Sequence, residues 1–266
     1  MLIGVYFILA IPLYPFIKIS EYKTKKLISY LVATISWILI KLMNVKVHWT
    51  GEIDKSKNYF IVSNHLSYID ILVICMRMPS VFVTSMEMKK TPVLGQITDL
   101  AGCLYVERRS RKNIKKEIKN IIDALKNGLN VTVFPESTST NGEQVLPFKR
   151  SLYQSAIESQ VEVLPMTLNY KRMNGEDITT ENRDLIFWYA DMTFADHLYK
   201  LCLSVKNLEV EVMAHDSIKP SHDSATLRDQ SFQTINEYYQ PVKPKFHAEK
   251  HLNKKVFLDE SSTSSI

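Results

Sequence analysis

Short runs of β-branched and aromatic residues alternate with amphipathic helical patterns along most of this chain. This alternation constrains the fold more than any other feature, because it is typical of domains in which helices connect parallel strands. The sequence therefore predicts an α/β fold with a mixed, largely parallel sheet flanked by helices. At 266 residues the chain is long enough for one such domain with additional segments.

The predicted strands are apolar runs that end at turn residues: Tyr59 to Ser63, Val81 to Thr84, Leu104 to Val106, Asn130 to Phe134, Val161 to Asn169 and Leu208 to Ala214. The predicted helices show apolar residues at helical spacing: Ile69 to Met78, Asn113 to Lys126, Leu198 to Val205 and Ala225 to Tyr239. The polar stretch from Lys171 to Asp184 is predicted to be an irregular loop.

The first 40 residues hold two uncharged apolar runs, residues 1–17 and 27–40, with a lysine-rich cluster between them. A membrane span needs about 20 apolar residues, so the first run is nearly long enough and the second is too short. Neither the charged start nor the cleavage site of a signal peptide is clear. We predict that residues 1–46 form two membrane-embedded helices, residues 47–240 a catalytic domain and residues 241–266 a disordered tail.

The overall charge and the cysteines narrow the possible partners. A formal net charge of +5 predicts attraction to anionic lipid headgroups. The sequence has no interleaved aromatic and basic residues and no zinc spacing, so we expect no nucleic-acid partner. Cys75, Cys103 and Cys202 are too far apart to suggest a disulfide framework or a zinc site.

The sharpest local signal is the segment Asn64-His65-Leu66-Ser67-Tyr68-Ile69-Asp70, placed where a buried strand gives way to a helix. Strand ends in α/β sheets present functional groups. Histidine can accept a proton near neutral pH, and a carboxylate bonded to its other nitrogen fixes its tautomer and orientation. Asp70, one helical turn further on, can supply that carboxylate. Alternatively, His65 could simply cap the helix or hydrogen-bond in the core.

Three further blocks follow in order, and together they give the chain a family resemblance. The blocks are Gly102 to Arg108 (GCLYVER), Phe134 to Thr138 (FPEST) and Val161 to Met166 (VEVLPM). With the N-H-x-x-x-x-D block they resemble the lysophosphatidic acid acyltransferase family of glycerolipid acyltransferases, over roughly residues 25 to 215. Four blocks in order are far more specific than any one of them.

The resemblance implies roles for individual residues. His65 is expected to deprotonate the acceptor hydroxyl for attack on an acyl thioester, with Asp70 orienting it. Glu136 and Arg108 are expected in the acceptor and catalytic pocket, with Arg108 as a phosphate or headgroup partner because a guanidinium binds two oxygens at once. Pro165 is expected to shape the pocket wall. Structurally, Glu136 could instead be a helix-capping residue and Arg108 one of several neighbouring basic residues.

The third block departs from the family pattern F-P-E-G-T at two positions. Ser137 replaces the usual glycine, which costs backbone freedom if the position needs a positive φ. Ser139 stands where many relatives carry arginine. We predict that Ser137, Thr138 and Ser139 line the substrate site, with Lys149 and Arg150 supplying the missing positive charge.

The resemblance predicts transfer of a fatty acyl group from acyl-CoA or acyl carrier protein to a lysophospholipid, first of all 1-acyl-sn-glycerol-3-phosphate, giving phosphatidic acid. Three alternatives remain: acylation of a lyso-aminolipid such as lyso-ornithine lipid, a non-catalytic membrane-binding homologue, and a serine esterase. The nucleophile elbow G-x-S-x-G of an esterase is absent. No metal or redox cofactor is expected. The predicted location is the cytoplasmic face of a bacterial inner membrane.

Overall fold

The computed structural model describes residues 21–107, 114–220 and 223–245. The first apolar run, Arg108 and nearly all of the predicted tail lie outside these ranges. The strands are β1 Val45–Thr50, β2 Phe60–Ser63, β3 Ser80–Ser85, β4 Leu104–Val106, β5 Asn130–Val133, β6 Val163–Met173, β7 Glu176–Asp177 and β8 Leu208–Ala214. The α-helices are α1 Glu21–Leu42, α2 Ile69–Cys75, α3 Met86–Lys90, α4 Leu94–Leu100, α5 Ile114–Lys126, α6 Gln154–Ser159, α7 Phe194–Ser204 and α8 Ser224–Tyr238. Short 3₁₀ turns lie at Ser151–Tyr153 and Arg183–Leu185.

The strands form one sheet in the order β1-β8-β6-β2-β5-β3-β4, with β7 paired to β6. β2 runs parallel to both of its neighbours, β5 and β6, and every residue of β2 is buried. The antiparallel pairs in the described chain are β6 with β8 and β6 with β7. A continuous apolar strand is typical of a parallel strand covered on both faces. The predicted mixed, largely parallel sheet is therefore confirmed.

Two parts of the sequence prediction need correction. The stretch from Lys171 to Asp184 is not one irregular loop, because β6 continues to Met173 and turns back into β7. Asn174 and Gly175 form the turn with φ values of 54° and 84°, and Asn-Gly is a favoured pair for a tight hairpin of this kind. Strand β1 was also missed. It pairs in parallel with β8, and the predicted boundary between residues 46 and 47 falls inside it.

Helix α1 covers the second predicted N-terminal helix and extends beyond it at both ends. Its inward face, including Ile28, Ala33 and Ile40, is buried, and the helix packs against α2, β3 and β1. Its outward face exposes Leu27, Tyr30, Trp37 and Leu42. Within residues 21–107, 114–220 and 223–245, no helix combines the length and apolarity needed to cross a membrane.

Candidate active site

The candidate site lies at one edge of the sheet, where the chain leaves the central strands β2 and β5. His65 is the second residue after β2, and Glu136 is the third after β5. Since β2 and β5 are parallel neighbours, their carboxyl ends meet at the same edge. The Glu136 carboxylate accepts a 2.7 Å hydrogen bond from the backbone N–H of His65, which ties the two loops together.

His65 and Asp70 form the dyad that their spacing predicts. The Nδ1 atom of His65 lies 2.9 Å from Oδ2 of Asp70. An ionised carboxylate only accepts hydrogen bonds, so Nδ1 is the donor and the neutral ring carries its lone pair on Nε2. The ring stacks on Phe134, with centroids 4.0 Å apart and planes 11° apart. Among the described residues no group hydrogen-bonds to Nε2, and the side chain is 16% exposed.

Asp70 is completely buried, and its hydrogen bonds hold it in one orientation. Its Oδ2 atom also accepts the backbone N–H groups of Leu66 at 2.7 Å and Ser67 at 2.9 Å. Its Oδ1 atom accepts the hydroxyl of Tyr170 at 2.6 Å. Hydrogen-bond partners of this kind offset the loss of hydration when a carboxylate is buried. The catalytic roles of His65 and Asp70 stay predictions, but this geometry is what a base and its orienting partner require.

Glu136 holds backbone groups with both of its oxygens. Oε1 accepts from His65 N and Oε2 accepts from Leu146 N, each at 2.7 Å. Burial raises the pKa of this carboxyl to about 8, although the N–H groups of Leu146 and His65 oppose that rise. The negative charge of Asp70 raises the pKa further. In this conformation Glu136 links the backbone of the loop that carries His65 to the backbone at Leu146.

This raised pKa predicts a pH-dependent stability. The folded state binds the Glu136 proton more tightly than the unfolded state does, because the pKa of this carboxyl is near its usual 4.5 in the unfolded chain. The group therefore stabilises the fold fully below pH 4.5. That contribution is lost as the pH rises to about 8. We expect thermal unfolding midpoints of the wild type to fall more steeply between pH 5 and pH 8 than those of Glu136→Gln. Equal slopes for both proteins, measured in the same detergent, would show that Glu136 is ionised throughout.

The residues after Glu136 answer whether the position of Ser137 needs a positive φ. Ser137 has a φ of 63°, so this position does need the left-handed backbone that glycine adopts most easily. The hydroxyl of Ser139 donates a short hydrogen bond to the backbone carbonyl of Trp188. The Thr138 side chain is exposed and bonds the carbonyl of Ser139 at 3.3 Å. Ser139 is therefore engaged with the protein itself.

The segment Ile186 to Trp188 is attached to the first and third blocks, a feature that local sequence patterns did not reveal. Besides the Ser139 bond, the N–H of Trp188 donates to the Leu66 carbonyl at 3.0 Å. The Ser67 hydroxyl donates to the Ile186 carbonyl at 2.7 Å. Residues more than a hundred positions apart in the sequence thus lie together beside the loop that carries His65.

The remaining predicted residues are distributed around this edge. The N–H of Lys149 donates to the Pro135 carbonyl at 2.9 Å, which keeps that residue beside the third block. The side chains of Lys149 and Arg150 are exposed, and Arg150 lies close enough to Asp223 to interact with its charge. Pro165 is buried on β6 opposite Val62 of β2. Arg108 is outside the described residues.

Asn64, which the sequence places in the first block without a role, has a structural one. Its amide group exchanges two hydrogen bonds with the backbone of Leu168 on β6, at 3.0 and 2.8 Å. These bonds continue the β2–β6 pairing past the last residue of β2. They fix the direction in which the chain leaves the sheet just before His65.

The chain is similar to proteins of known activity. The family model described as "Acyltransferase" matches residues 44–169. The 1-acyl-sn-glycerol-3-phosphate acyltransferase of Neisseria gonorrhoeae is 31% identical over 177 residues, which cover 66% of this chain and 67% of that one. The chain belongs to the 1-acyl-sn-glycerol-3-phosphate acyltransferase family. It is an acyltransferase, so the esterase and non-catalytic alternatives are set aside.

Other relatives of this acyltransferase differ in the acceptor that their names state. The lyso-ornithine lipid O-acyltransferase of Rhizobium meliloti is 29% identical over 178 residues, covering 64% of this chain and 61% of that one. The crystal structure of the 1-acyl-sn-glycerophosphate (LPA) acyltransferase from Thermotoga maritima matches with a TM-score of 0.59 at 21% identity. That match covers 89% of this chain and 92% of the other, and it supports the fold assignment.

Proposed function

We propose that this acyltransferase moves a fatty acyl group from a thioester donor, acyl-CoA or acyl carrier protein, to the free hydroxyl of a lysophospholipid. The observation that carries the proposal is the 2.9 Å contact between His65 Nδ1 and the fully buried Asp70. With Nδ1 donating to Asp70, Nε2 is the atom that takes the proton of the acceptor hydroxyl. The deprotonated oxygen attacks the thioester carbon, the C–S bond breaks as the carbonyl re-forms, and the leaving thiolate takes the proton from Nε2, which restores the neutral ring.

The proposed first acceptor is 1-acyl-sn-glycerol-3-phosphate, with phosphatidic acid as product. The Neisseria relative bears the name of that activity. Lys149, next to the third block, offers a positive charge in place of the arginine that many relatives carry at the position of Ser139. Arg150 and Arg108 are the other candidates for binding the phosphate. A guanidinium or ammonium group bonded to a phosphate is among the stronger hydrogen-bonded pairs.

A second acceptor, a lyso-aminolipid such as lyso-ornithine lipid, is favoured by one observation. The Ser139 hydroxyl donates to the Trp188 carbonyl, so in this conformation that hydroxyl does not donate to a phosphate. Several curated relatives carry the name lyso-ornithine lipid O-acyltransferase. The two acceptors differ in headgroup charge. Removing positive side chains near the site should therefore affect the KM of one acceptor more than that of the other.

Lys149 and Arg150 are expected to bind the phosphate of lysophosphatidate. If lysophosphatidate is the substrate, Lys149→Ala with Arg150→Ala should raise its KM by about 10- to 100-fold, because charged hydrogen bonds contribute about 1.5–3 kcal/mol. The KM for a zwitterionic lysolipid should change much less. The matched control is Lys55→Ala with Lys219→Ala, which removes the same charge from exposed positions outside the site.

An acceptor screen on purified, detergent-solubilised protein with one labelled long-chain acyl thioester decides the assignment. Acylation of lysophosphatidate supports the primary proposal. If lysophosphatidate is inert and a lyso-aminolipid is acylated, the acceptor assignment is overturned and the acyltransferase chemistry stands.

We also propose that the N-terminal region holds the enzyme at the membrane, at the cytoplasmic face of a bacterial inner membrane. The exposed apolar residues of α1 and the uncharged run at residues 1–17 support attachment to the membrane. Apolar burial in lipid is not screened by salt, whereas adsorption through charges is. We expect the full-length protein to stay in the membrane pellet during a wash at roughly 1 M salt, where the Debye length is about 3 Å. Quantitative release by that wash would rule out apolar anchoring.

A further inference from the structure

Tyr170 touches the dyad from the side opposite His65. It lies on β6, far from the first block in sequence, and its hydroxyl donates to Oδ1 of Asp70 at 2.6 Å. Both residues are buried, and the tyrosine ring packs edge-to-face on Phe187 with centroids 5.3 Å apart. No local sequence pattern marks Tyr170, and the proposed mechanism does not use it.

The hydrogen bonds of Asp70 are divided unevenly between its oxygens. Oδ2 receives three donors: His65 Nδ1, Leu66 N and Ser67 N. Among the described residues, Oδ1 receives only the hydroxyl of Tyr170. The tyrosine therefore fixes the rotation of the carboxylate plane, and that plane sets the direction in which Oδ2 meets the imidazole.

We propose that Tyr170 is a positioning residue, which acts through Asp70 to hold the His65 ring in the orientation needed for proton transfer. The inference rests on the proposed function, because it assumes that His65 is the base. The hydroxyl also neutralises part of the carboxylate charge, which limits how strongly Asp70 stabilises the imidazolium form of His65.

The surroundings keep the Tyr170 hydroxyl in its donor state. Burial, together with the charge of Asp70, raises the pKa of Tyr170 well above its ordinary value, so the phenol stays protonated at working pH. Among the described residues, the titratable groups that interact with Asp70 or Tyr170 include His65, Glu136, Tyr68 and Tyr239, and Tyr239 in turn interacts with Arg183. Of the neighbours, Glu136 also titrates within the working range, since its pKa lies at about 8.

The test compares Tyr170→Phe with Tyr59→Phe. Each removes one hydroxyl from a buried tyrosine, but the Tyr59 hydroxyl donates to the Asp54 carbonyl at 3.1 Å, before β2 begins and away from the dyad. We expect Tyr170→Phe to lower kcat about 10-fold with KM changed less than twofold, as for a lost hydrogen bond to a charged group. Tyr59→Phe should change kcat less than twofold.

The pH profile separates positioning from a general loss of stability. Without the hydroxyl, the carboxylate charge is less neutralised and favours the imidazolium, so the acidic limb of kcat/KM should move to higher pH in Tyr170→Phe. It should not move in Tyr59→Phe, and because Glu136 is present in both proteins its titration cancels in the comparison. An unmoved limb, or a loss confined to KM, would overturn the inference.

A double-mutant comparison tests whether Tyr170 acts through Asp70. In an Asp70→Asn background, adding Tyr170→Phe should change kcat less than twofold, because residues that act as a unit are not additive. A further 10-fold loss there would show that Tyr170 does not act through Asp70 and would overturn the inference. If His65→Ala is inactive while Tyr170→Phe is fully active, the inference fails and the proposed function stands. An active His65→Ala would overturn the proposed function itself.

Discussion

His65→Ala should abolish acyl transfer from the thioester to the lysolipid and leave the protein folded and in the membrane. A general base typically contributes about 10²- to 10⁴-fold, and alanine offers no nitrogen to take the acceptor's proton. The loss should appear in kcat, measured as labelled two-chain lipid formed at saturating acceptor. Truncation removes the stacking on Phe134 and one of the four hydrogen bonds of Asp70, but the donors from Leu66, Ser67 and Tyr170 remain, so the loop should keep its fold.

The matched control for that variant is His48→Ala. His48 is an exposed histidine on β1, a strand at the edge of the sheet, so the same truncation should leave kcat within about twofold, as is usual for an exposed site. Thermal unfolding of both variants confirms that each is folded. Near-normal turnover by a well-folded His65→Ala protein would overturn the base assignment.

Asp70→Asn should be nearly as damaging, although it changes only one group of atoms. The carboxylate accepts four hydrogen bonds. In asparagine an NH2 donor replaces one of the two oxygens, and that donor must face other donors, either the N–H groups of Leu66 and Ser67 or the hydroxyl of Tyr170. An amide nitrogen facing Nδ1 would favour the tautomer with the proton on Nε2, and that atom could no longer act as the base. We expect kcat to fall by about 10²- to 10⁴-fold, the upper value being the loss known for the equivalent change in a serine protease triad.

Asp54→Asn provides the control for this change of charge. Asp54 is exposed and accepts from the backbone and hydroxyl of Ser56 in the loop before β2. Its replacement should leave turnover within about twofold. If Asp70→Asn retains more than a tenth of wild-type kcat with unchanged KM, then orientation of His65 by Asp70 is not needed for the reaction.

Local patterns were sufficient for the elements that carry the dyad. Strand β2 begins one residue after the predicted Tyr59 and ends at the predicted Ser63, and α2 begins at the predicted Ile69. A buried apolar strand followed by Asn-His and a helix placed His65 at a strand end, and the five-residue spacing brought Asp70 to its ring. These contacts lie within one short segment, so the sequence alone specifies them.

Contacts between distant segments were beyond local patterns. Nothing near Tyr170 in the sequence marks it as a partner of Asp70, because the contact depends on β6 pairing beside β2. The link between Ser139 and Trp188 likewise depends on how a loop returns to the sheet edge. Strand β1 was not predicted for a different reason. Its alternating pattern begins inside the segment, residues 1–46, that was assigned to the membrane.

The central claim is that His65 allows the acceptor hydroxyl to attack the thioester directly, with no acyl-enzyme. The most direct measurement mixes the purified protein with labelled acyl thioester, first without and then with lysolipid, and follows both thiol release and label bound to the denatured chain. Direct attack predicts that thiol release requires the acceptor, matches the labelled two-chain lipid one to one, and leaves no label on the protein. A burst of thiol release without acceptor, with the label retained on the chain, would contradict it.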